Sequence, residues 1–123
     1  MASIKFYVVG VGTEQKIFCD RAHVKKGEEL EWDIDQDYPF AVDFGWDSPV
    51  EEDLGGGHKK TKEKMKAEKK QAGAAGYEIK NKKIKEDLGI FDSPQIYKYS
   101  IAVCIPGNPP EVILEDPQII IDP

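Results

Sequence analysis

Residues 29–34 read ELEWDI, and acidic and apolar side chains alternate along this stretch. Successive side chains of a β-strand point to opposite faces, so Leu30, Trp32 and Ile34 are expected on one buried face and the acids on a solvated face. The same period of two recurs at residues 40–46 (FAVDFGW) and, over a longer distance, at residues 97–105 (YKYSIAVCI). These stretches predict a chain built mostly of half-buried strands.

Further strands are predicted from short runs that are rich in β-branched residues or, at residues 16–19, that mix apolar and polar residues. They lie at residues 4–9, 16–19, 112–114 and 119–121, and turn-forming residues separate them from their neighbours. Many short strands with turns at near-regular spacing favour an all-β sandwich. We expect its core to contain these inward-facing residues: Phe6, Val8, Leu30, Trp32, Val42, Phe44, Tyr99, Ile101, Val103, Leu114 and Ile120.

Length and composition favour one folded domain over residues 1–123. Hydrophobic residues make up 40% of the chain and charged residues 33%. A chain of this size buries roughly two thirds of its unfolded surface, so it needs no disulfide or metal to hold a core. No apolar run approaches the roughly 20 residues of a spanning helix, so no membrane span is predicted. The start does not resemble a signal peptide, so the expected location is the cytoplasm, or the periplasm or the exterior if a leader has been removed.

One segment, at about 55–76, departs from the strand pattern. Glycine-rich stretches border it, and between them residues 59–70 read KKTKEKMKAEKK. These are good helix formers, but Met65 and Ala67 are the only apolar side chains among them, so no apolar stripe could dock a helix firmly. We predict a lysine-rich surface helix or loop inserted between strands.

Charge is distributed unevenly along the chain. Residues 58–85 carry 11 lysines and three glutamates, a balance of +8, and the rest of the chain carries −14, which together give the net charge of −6. The acidic part should repel nucleic acid, and the basic part has no interleaved aromatic residues to stack on bases, so sequence-specific nucleic-acid binding is not expected. An acidic protein surface is the favoured partner, and the candidate binding residues are Lys59, Lys60, Lys62, Lys64, Lys66, Lys69 and Lys70.

Two stretches resemble the cupredoxins, the plastocyanin and azurin class. Residues 24–32 (VKKGEELEW) resemble the second-strand hairpin of that family, in which a basic-Gly-acid turn leads into an alternating strand that ends in Trp. Residues 37–44 (DYPFAVDF) resemble the next family segment, where Pro-His precedes an apolar strand. The run that starts at Tyr97 and the closing strand resemble the end of the fold. The resemblance implies a Greek-key β-sandwich of about seven or eight strands.

The resemblance also implies that the copper chemistry of the family is absent. A blue-copper site takes two His, one Cys and usually a weak axial Met. Phe40 stands at the position of the first His, and residues 105–123, which follow Cys104, contain no His and no Met. We therefore expect a binding or interaction domain with no cofactor and no catalytic residues, and not an enzyme.

Two other functions remain open at this point. A copper-binding electron-transfer protein would need a rebuilt site, for which His23, His58 and Cys104 are the candidate ligands, with Cys19 or Met65 as further donors. A thiol redox protein would use Cys19 and Cys104, although neither belongs to a Cys-x-x-Cys motif.

The acidic stretch at residues 33–53 is interpreted as a solvated strand face and turns.

Overall fold

A computed structural model describes all residues of the chain, 1–123. It contains 14 β-strands, one 3-10 turn at Gly12–Glu14 and no α-helix. The strands are β1 Ala2–Val9, β2 Lys16–Cys19, β3 Ala22–Lys25, β4 Glu29–Ile34, β5 Phe40–Asp43, β6 Val50–Gly55, β7 His58–Thr61, β8 Lys64–Lys66, β9 Glu68–Lys69, β10 Tyr77–Ile84, β11 Gln95–Lys98, β12 Ser100–Ile105, β13 Glu111–Glu115 and β14 Gln118–Asp122.

These strands form three sheets around one core. The largest has seven strands in the order β2-β1-β4-β10-β6-β7, with β9 also paired to β10. A four-stranded sheet has the order β13-β12-β5-β8, and a three-stranded sheet has the order β11-β14-β3. Most neighbours are antiparallel, but β1 pairs with β4 and β14 with β3 in parallel. The predicted all-β class is therefore confirmed, with mixed sheets in a sandwich-like arrangement.

Residues from all three sheets meet in one cluster of 19 buried apolar residues. Trp32 is fully buried there, and its Nε1–H donates a hydrogen bond to the Tyr99 hydroxyl at 3.1 Å. The Phe44 ring packs against both Trp32 and Tyr99, with ring centroids 6.1 and 4.6 Å apart respectively. The alternation of residues 29–34 thus places Trp32 at the centre of the molecule, as predicted.

Nine of the eleven residues predicted for the core are buried. Phe44 is only half-buried, and Leu114 is 69% exposed, so its assignment to the core is wrong. Residues 112–114 are all apolar, so no alternation marks the inward side, and in β13 the residue that packs on the core is Ile113. The strand predicted over residues 40–46 ends at Asp43, and Trp46, which that pattern places inward, is 85% exposed.

The long alternating run at residues 97–105 is divided into two strands. β11 pairs with β14 and β12 pairs with β13, and Tyr99 lies between β11 and β12. The Tyr99 N–H donates to the Pro117 carbonyl at 3.1 Å, at the point where the partner strand also changes sheet. The two strands therefore bend together from the three-stranded sheet into the four-stranded one.

The turn that carries the cupredoxin resemblance also connects two sheets. β3 belongs to the three-stranded sheet and β4 to the seven-stranded sheet, so residues 24–34 do not form a paired hairpin. Gly27 adopts a φ of 77°, a conformation that favours glycine, and its N–H donates to the Ile84 carbonyl at 2.9 Å.

The lysine-rich segment forms strands, so the predicted helical or loop insertion is wrong over these residues. β7 lies at one edge of the seven-stranded sheet, β8 lies at one edge of the four-stranded sheet, and β9 pairs with β10. Met65 points inward and is 4% exposed, while Lys64 and Lys66 point outward. Met65 and Ala67 are spaced by two, which is the period of a strand. Lysines on short edge strands also hinder pairing with other chains.

Candidate functional site

The lysine-rich segment packs against the acidic stretch that precedes it in the sequence. Lys70 Nζ lies 2.8 Å from Asp33 Oδ1 and 2.9 Å from Asp35 Oδ1, and only 11% of the Lys70 side chain is exposed. Lys69 Nζ lies 2.7 Å from Asp37 Oδ1. The acids at residues 33–37 therefore form the counterpart of the basic segment, where the sequence had suggested only a solvated face.

A glycine allows this close approach. Gly76 adopts a φ of 102°, and a Cβ at this position would collide with the Ile34 carbonyl. The Gly76 carbonyl accepts a hydrogen bond from the Lys70 N–H at 3.1 Å. The turn after β9 can thus lie against the end of β4, which brings Lys70 to Asp33 and Asp35.

These contacts shift the pKa values of Lys69, Lys70 and Asp35. Burial opposes the charged form of Lys70, but its hydrogen bonds to Asp33 and Asp35 outweigh this and raise the pKa of Lys70. The hydrogen bond from Lys70 lowers the pKa of Asp35. The hydrogen bond to Asp37 likewise raises the pKa of Lys69. Lys69, Lys70 and Asp35 therefore stay charged together at neutral pH.

Two further lysines of the segment pair with β6. Lys59 Nζ lies 3.7 Å from Glu51 Oε1, and Lys62 Nζ lies 4.0 Å from Glu52 Oε2. Glu52 also pairs with Lys82 of β10, whose Nζ lies 3.2 Å from Glu52 Oε1. Four of the seven candidate lysines are thus paired within the chain.

The remaining three, Lys60, Lys64 and Lys66, have no carboxylate within 4 Å. Lys60 lies on the edge strand β7, and the other two lie on the edge strand β8. Their ammonium groups are free to meet a charge from outside the chain. The sequence treats all seven lysines as equivalent, and the structure separates them.

A groove of about 600 Å³ opens between the lysine-rich strands and β10. Six lysines line it against three carboxylates, so its lining is net positive. The residues concerned are Lys62, Lys64, Lys66, Lys69, Lys80 and Lys82, with Glu52, Glu68 and Glu78. Such a lining suits a negatively charged ligand.

The three candidate metal ligands lie on three different sheets. His23 on β3 has its Nδ1 atom 3.4 Å from Asp122 Oδ1, His58 is exposed on β7, and Cys104 lies on β12. No group of three or more His, Cys, Asp or Glu side chains is close enough together to hold a metal ion. The structure therefore does not assemble a rebuilt site from these residues.

Phe40 and Cys104 lie beside each other but face opposite sides of their sheet. The Cys104 N–H donates to the Pro39 carbonyl at 2.8 Å, and Phe40 is opposite Val103 in the strand register. The Phe40 ring points into the core and packs edge-on against Phe6, with centroids 4.8 Å apart. The position at which the resemblance places a histidine ligand is thus part of the core packing.

Both cysteines are free. Cys19 packs against the core, burial raises its pKa to about 11, and its Sγ donates a hydrogen bond to the Asp20 carbonyl at 3.6 Å. Cys104 lines an apolar groove on the outer face of the four-stranded sheet. A raised pKa disfavours the thiolate that redox exchange requires, so Cys19 is poorly suited to that chemistry.

Comparison of the chain with protein-family models, with curated proteins and with solved structures finds no match. No helix of the structure has the length and apolar character that crossing a membrane requires. Function must therefore be inferred from the geometry of the chain's own residues.

Proposed function

We propose that this protein is a copper-free, cupredoxin-like binding domain without catalytic residues, which recognises an acidic protein surface through Lys60, Lys64 and Lys66. The observation that carries the proposal is the division of the lysines. A paired lysine must give up its own carboxylate before it can meet another, so it gains little from a partner. Each of the three unpaired lysines needs only to lose bound water before it contacts a partner's carboxylate.

Two features support the cupredoxin-like part of the proposal. The chain is all-β, and Trp32 and Phe44, at the ends of the two resembling stretches, contact each other in the aromatic centre of the core. Phe40 fills the core at the position of the first family ligand. An apolar ring there is compatible with a scaffold that has kept its packing and lost its metal.

The binding part is tested with poly-L-glutamate as an acidic polypeptide probe, titrated at low ionic strength. Lys64→Gln/Lys66→Gln should weaken binding about tenfold, since each lost contact contributes up to about 1 kcal/mol. The matched control Lys59→Gln/Lys69→Gln removes the same charge from paired positions and should weaken binding less than threefold. Salt should abolish the difference, because exposed charges are screened. Equal losses in both variants, or no binding by the native protein, would contradict the proposal.

The copper-free part is tested by titrating the reduced protein with copper and measuring visible absorption and bound metal. We expect no stoichiometric uptake. Tight one-to-one binding with an intense thiolate-to-copper band would favour the electron-transfer alternative, and Cys104 would then be the first ligand to replace by serine.

A further inference from the structure

The outer face of the four-stranded sheet is apolar where a solvated face is expected. Val112 and Leu114 of β13 are 64% and 69% exposed, while Ile113 between them packs on the core. On the neighbouring strand β12, Ala102 and Cys104 are half-buried and alternate with the buried Ile101 and Val103. Both strands therefore turn their apolar side chains outward as well as inward.

The strand register joins these residues into rows. Leu114 is opposite Ala102, Ala102 is opposite Ala41, and Ala41 is opposite Lys66, so one row runs across all four strands. In the next row Val112 is opposite Cys104. Two apolar rows thus lie side by side, and lysine borders them at β8.

The row on the other side is polar. Ser100 is opposite Asp43, and Asp43 is opposite Lys64. The Ser100 hydroxyl hydrogen-bonds to Asp116 Oδ1 at 3.0 Å. The apolar rows are therefore a bounded patch, and Lys64 and Lys66 mark its basic side.

A shallow, open groove also lies over the patch. This groove, of about 370 Å³, runs over Ala41, Ala102, Cys104 and Val112, and Lys64 and Lys66 stand at its rim. Scattered exposed apolar residues are ordinary on a protein surface, but a contiguous patch with a charged rim is typical of an interaction site. The rim lysines are also two of the three that have no partner within the chain.

We propose that this outer face binds a short amphipathic acidic segment of a partner protein. Apolar side chains of the segment would cover Leu114, Val112 and Cys104, and its carboxylates would meet Lys64 and Lys66. The inference rests on the proposed function above and adds the site and the chemistry of the partner.

Size and charge favour a segment over a second copy of this chain. With strands about 4.8 Å apart and about 7 Å between alternate residues, the two rows span about 14 by 7 Å. A stable subunit interface covers roughly 800 Å² on each partner, far more than this patch offers. A second copy would also bring another net charge of −6. A single strand or helix needs only a contact of the size that the patch offers.

The test uses two fluorescent peptides of 12 residues, one with alternating Leu and Glu and one with Ser in place of Leu. Val112→Thr/Leu114→Thr should weaken binding of the Leu-Glu peptide at least tenfold and leave the Ser-Glu peptide within twofold. Threonine is β-branched and has a high strand propensity, so the edge strand should be retained. The matched control Leu54→Thr/Ile96→Thr changes two residues that are each 60% exposed elsewhere, and should leave both peptides within twofold.

A second measurement does not depend on the folding of a surface variant. In a Cys19→Ser background, saturating Leu-Glu peptide should slow alkylation of Cys104 at least fivefold, because Cys104 lies within the patch. The Ser-Glu peptide should protect it less. Unchanged alkylation under saturating Leu-Glu peptide would overturn the assignment of the site.

The remaining outcomes separate the two proposals. If Lys64→Gln/Lys66→Gln weakens both peptides while Val112→Thr/Leu114→Thr weakens neither, the apolar patch is not the site and the proposed function stands. If the lysine variant weakens neither peptide, both proposals are wrong. If the native protein sediments as a dimer and Val112→Thr/Leu114→Thr as a monomer, the patch binds a second copy, which overturns the acidic segment.

Discussion

The seven-stranded and four-stranded sheets enclose the same core but present different outer faces. On the larger sheet, outward acids are matched by lysines: Asp33 by Lys70 at 2.8 Å and Glu78 by Lys80 at 2.9 Å. On the smaller sheet, the outward residues of β13 are Val112 and Leu114, and the lysines at its edge have no carboxylate within 4 Å. Both sheets contribute apolar residues to the core, so the main difference lies in the outward positions.

This difference shows that the packing of one side of a strand in the core only weakly constrains the residue types on its outward side. Period-two alternation buries one side of β4 and of β12 alike, and the other side is free to vary. On the larger sheet most charges pair within the chain, and Lys60 on β7 is the one candidate lysine there without a carboxylate within 4 Å, so that face offers a partner fewer free charges. On the smaller sheet an apolar patch and unpaired lysines remain exposed, which is the combination that a partner could use.

The largest expected effect tests whether the two sheets unfold together as one cooperative unit. Trp32→Ala should lower the free energy of unfolding by about 3–5 kcal/mol, because a fully buried indole leaves a large cavity. The exposed Trp46→Ala serves as control and should change it by less than about 0.5 kcal/mol. Denaturant unfolding measures both. Two separate transitions in the native protein would mean that the two faces belong to independent units.

The next effect concerns the alkylation rate of Cys19, the cysteine that packs against the core. Because burial raises the pKa of Cys19 to about 11 from 9.0, its thiolate fraction at pH 8 should fall roughly hundredfold below that of an unperturbed thiol. Alkylation of the Cys104→Ser variant with iodoacetamide, followed by mass spectrometry, should therefore be slow, and unfolding in denaturant should restore the rate. A rate equal to that of an unfolded control would place Cys19 in solvent.

A smaller effect tests the ion pairs of the larger sheet. Lys70→Met keeps the apolar stem and removes the charge between Asp33 and Asp35, and it should cost about 1 kcal/mol of stability. Lys60→Met, at an unpaired position, should cost close to nothing. A similar loss of stability in both variants would mean that the ion pairs of Lys70 do not stabilise the fold.

The same ion pairs should be sensitive to acid. Because Lys70 lowers the pKa of Asp35 below 3.8, the folded state binds the proton of Asp35 less readily than the unfolded state does. Its stabilisation is then present above the unfolded pKa and is lost as the pH falls through the folded pKa. The free energy of unfolding of the native protein should fall below about pH 4, and that of Lys70→Met should fall less over that range.

The smallest expected effect concerns the apolar outer face. Leu114→Thr should change the free energy of unfolding by less than about 0.5 kcal/mol, because the side chain is 69% exposed. Denaturant titration of this variant beside the native protein provides the measurement. A loss above about 2 kcal/mol would show that Leu114 packs on the core, as the sequence had suggested, and the patch would lose one of its main contacts.

Sequence reasoning succeeded where one face of a strand is clearly marked. Leu30, Trp32 and Ile34 alternate with acids, and all three are buried as predicted. It failed at Leu114, since three apolar residues in a row mark no face. It also failed at residues 59–70, where lysine has a good helix propensity and the only strand signal is the spacing of Met65 and Ala67. Tertiary pairing overrode that propensity.

The candidate site was predictable only in part. The basic character of residues 59–70 and the acidic character of residues 33–53 are plain from the sequence, but the acids were interpreted as a solvated face and not as the counterpart of the lysines. Which lysine meets which acid depends on the turn at Gly76 and on the edge positions of β7 and β8. Lys60, Lys64 and Lys66 differ from the other lysines only in this placement.

The sequence by itself determined the all-β class, most of the core and the division of charge, because side-chain alternation and composition are local properties. The tertiary structure alone decided which strands are neighbours, which lysines remain unpaired and which apolar side chains face outward. The physical reason is that strand pairing joins residues far apart in the chain. Alternation marks the two faces of a strand but does not specify its partner.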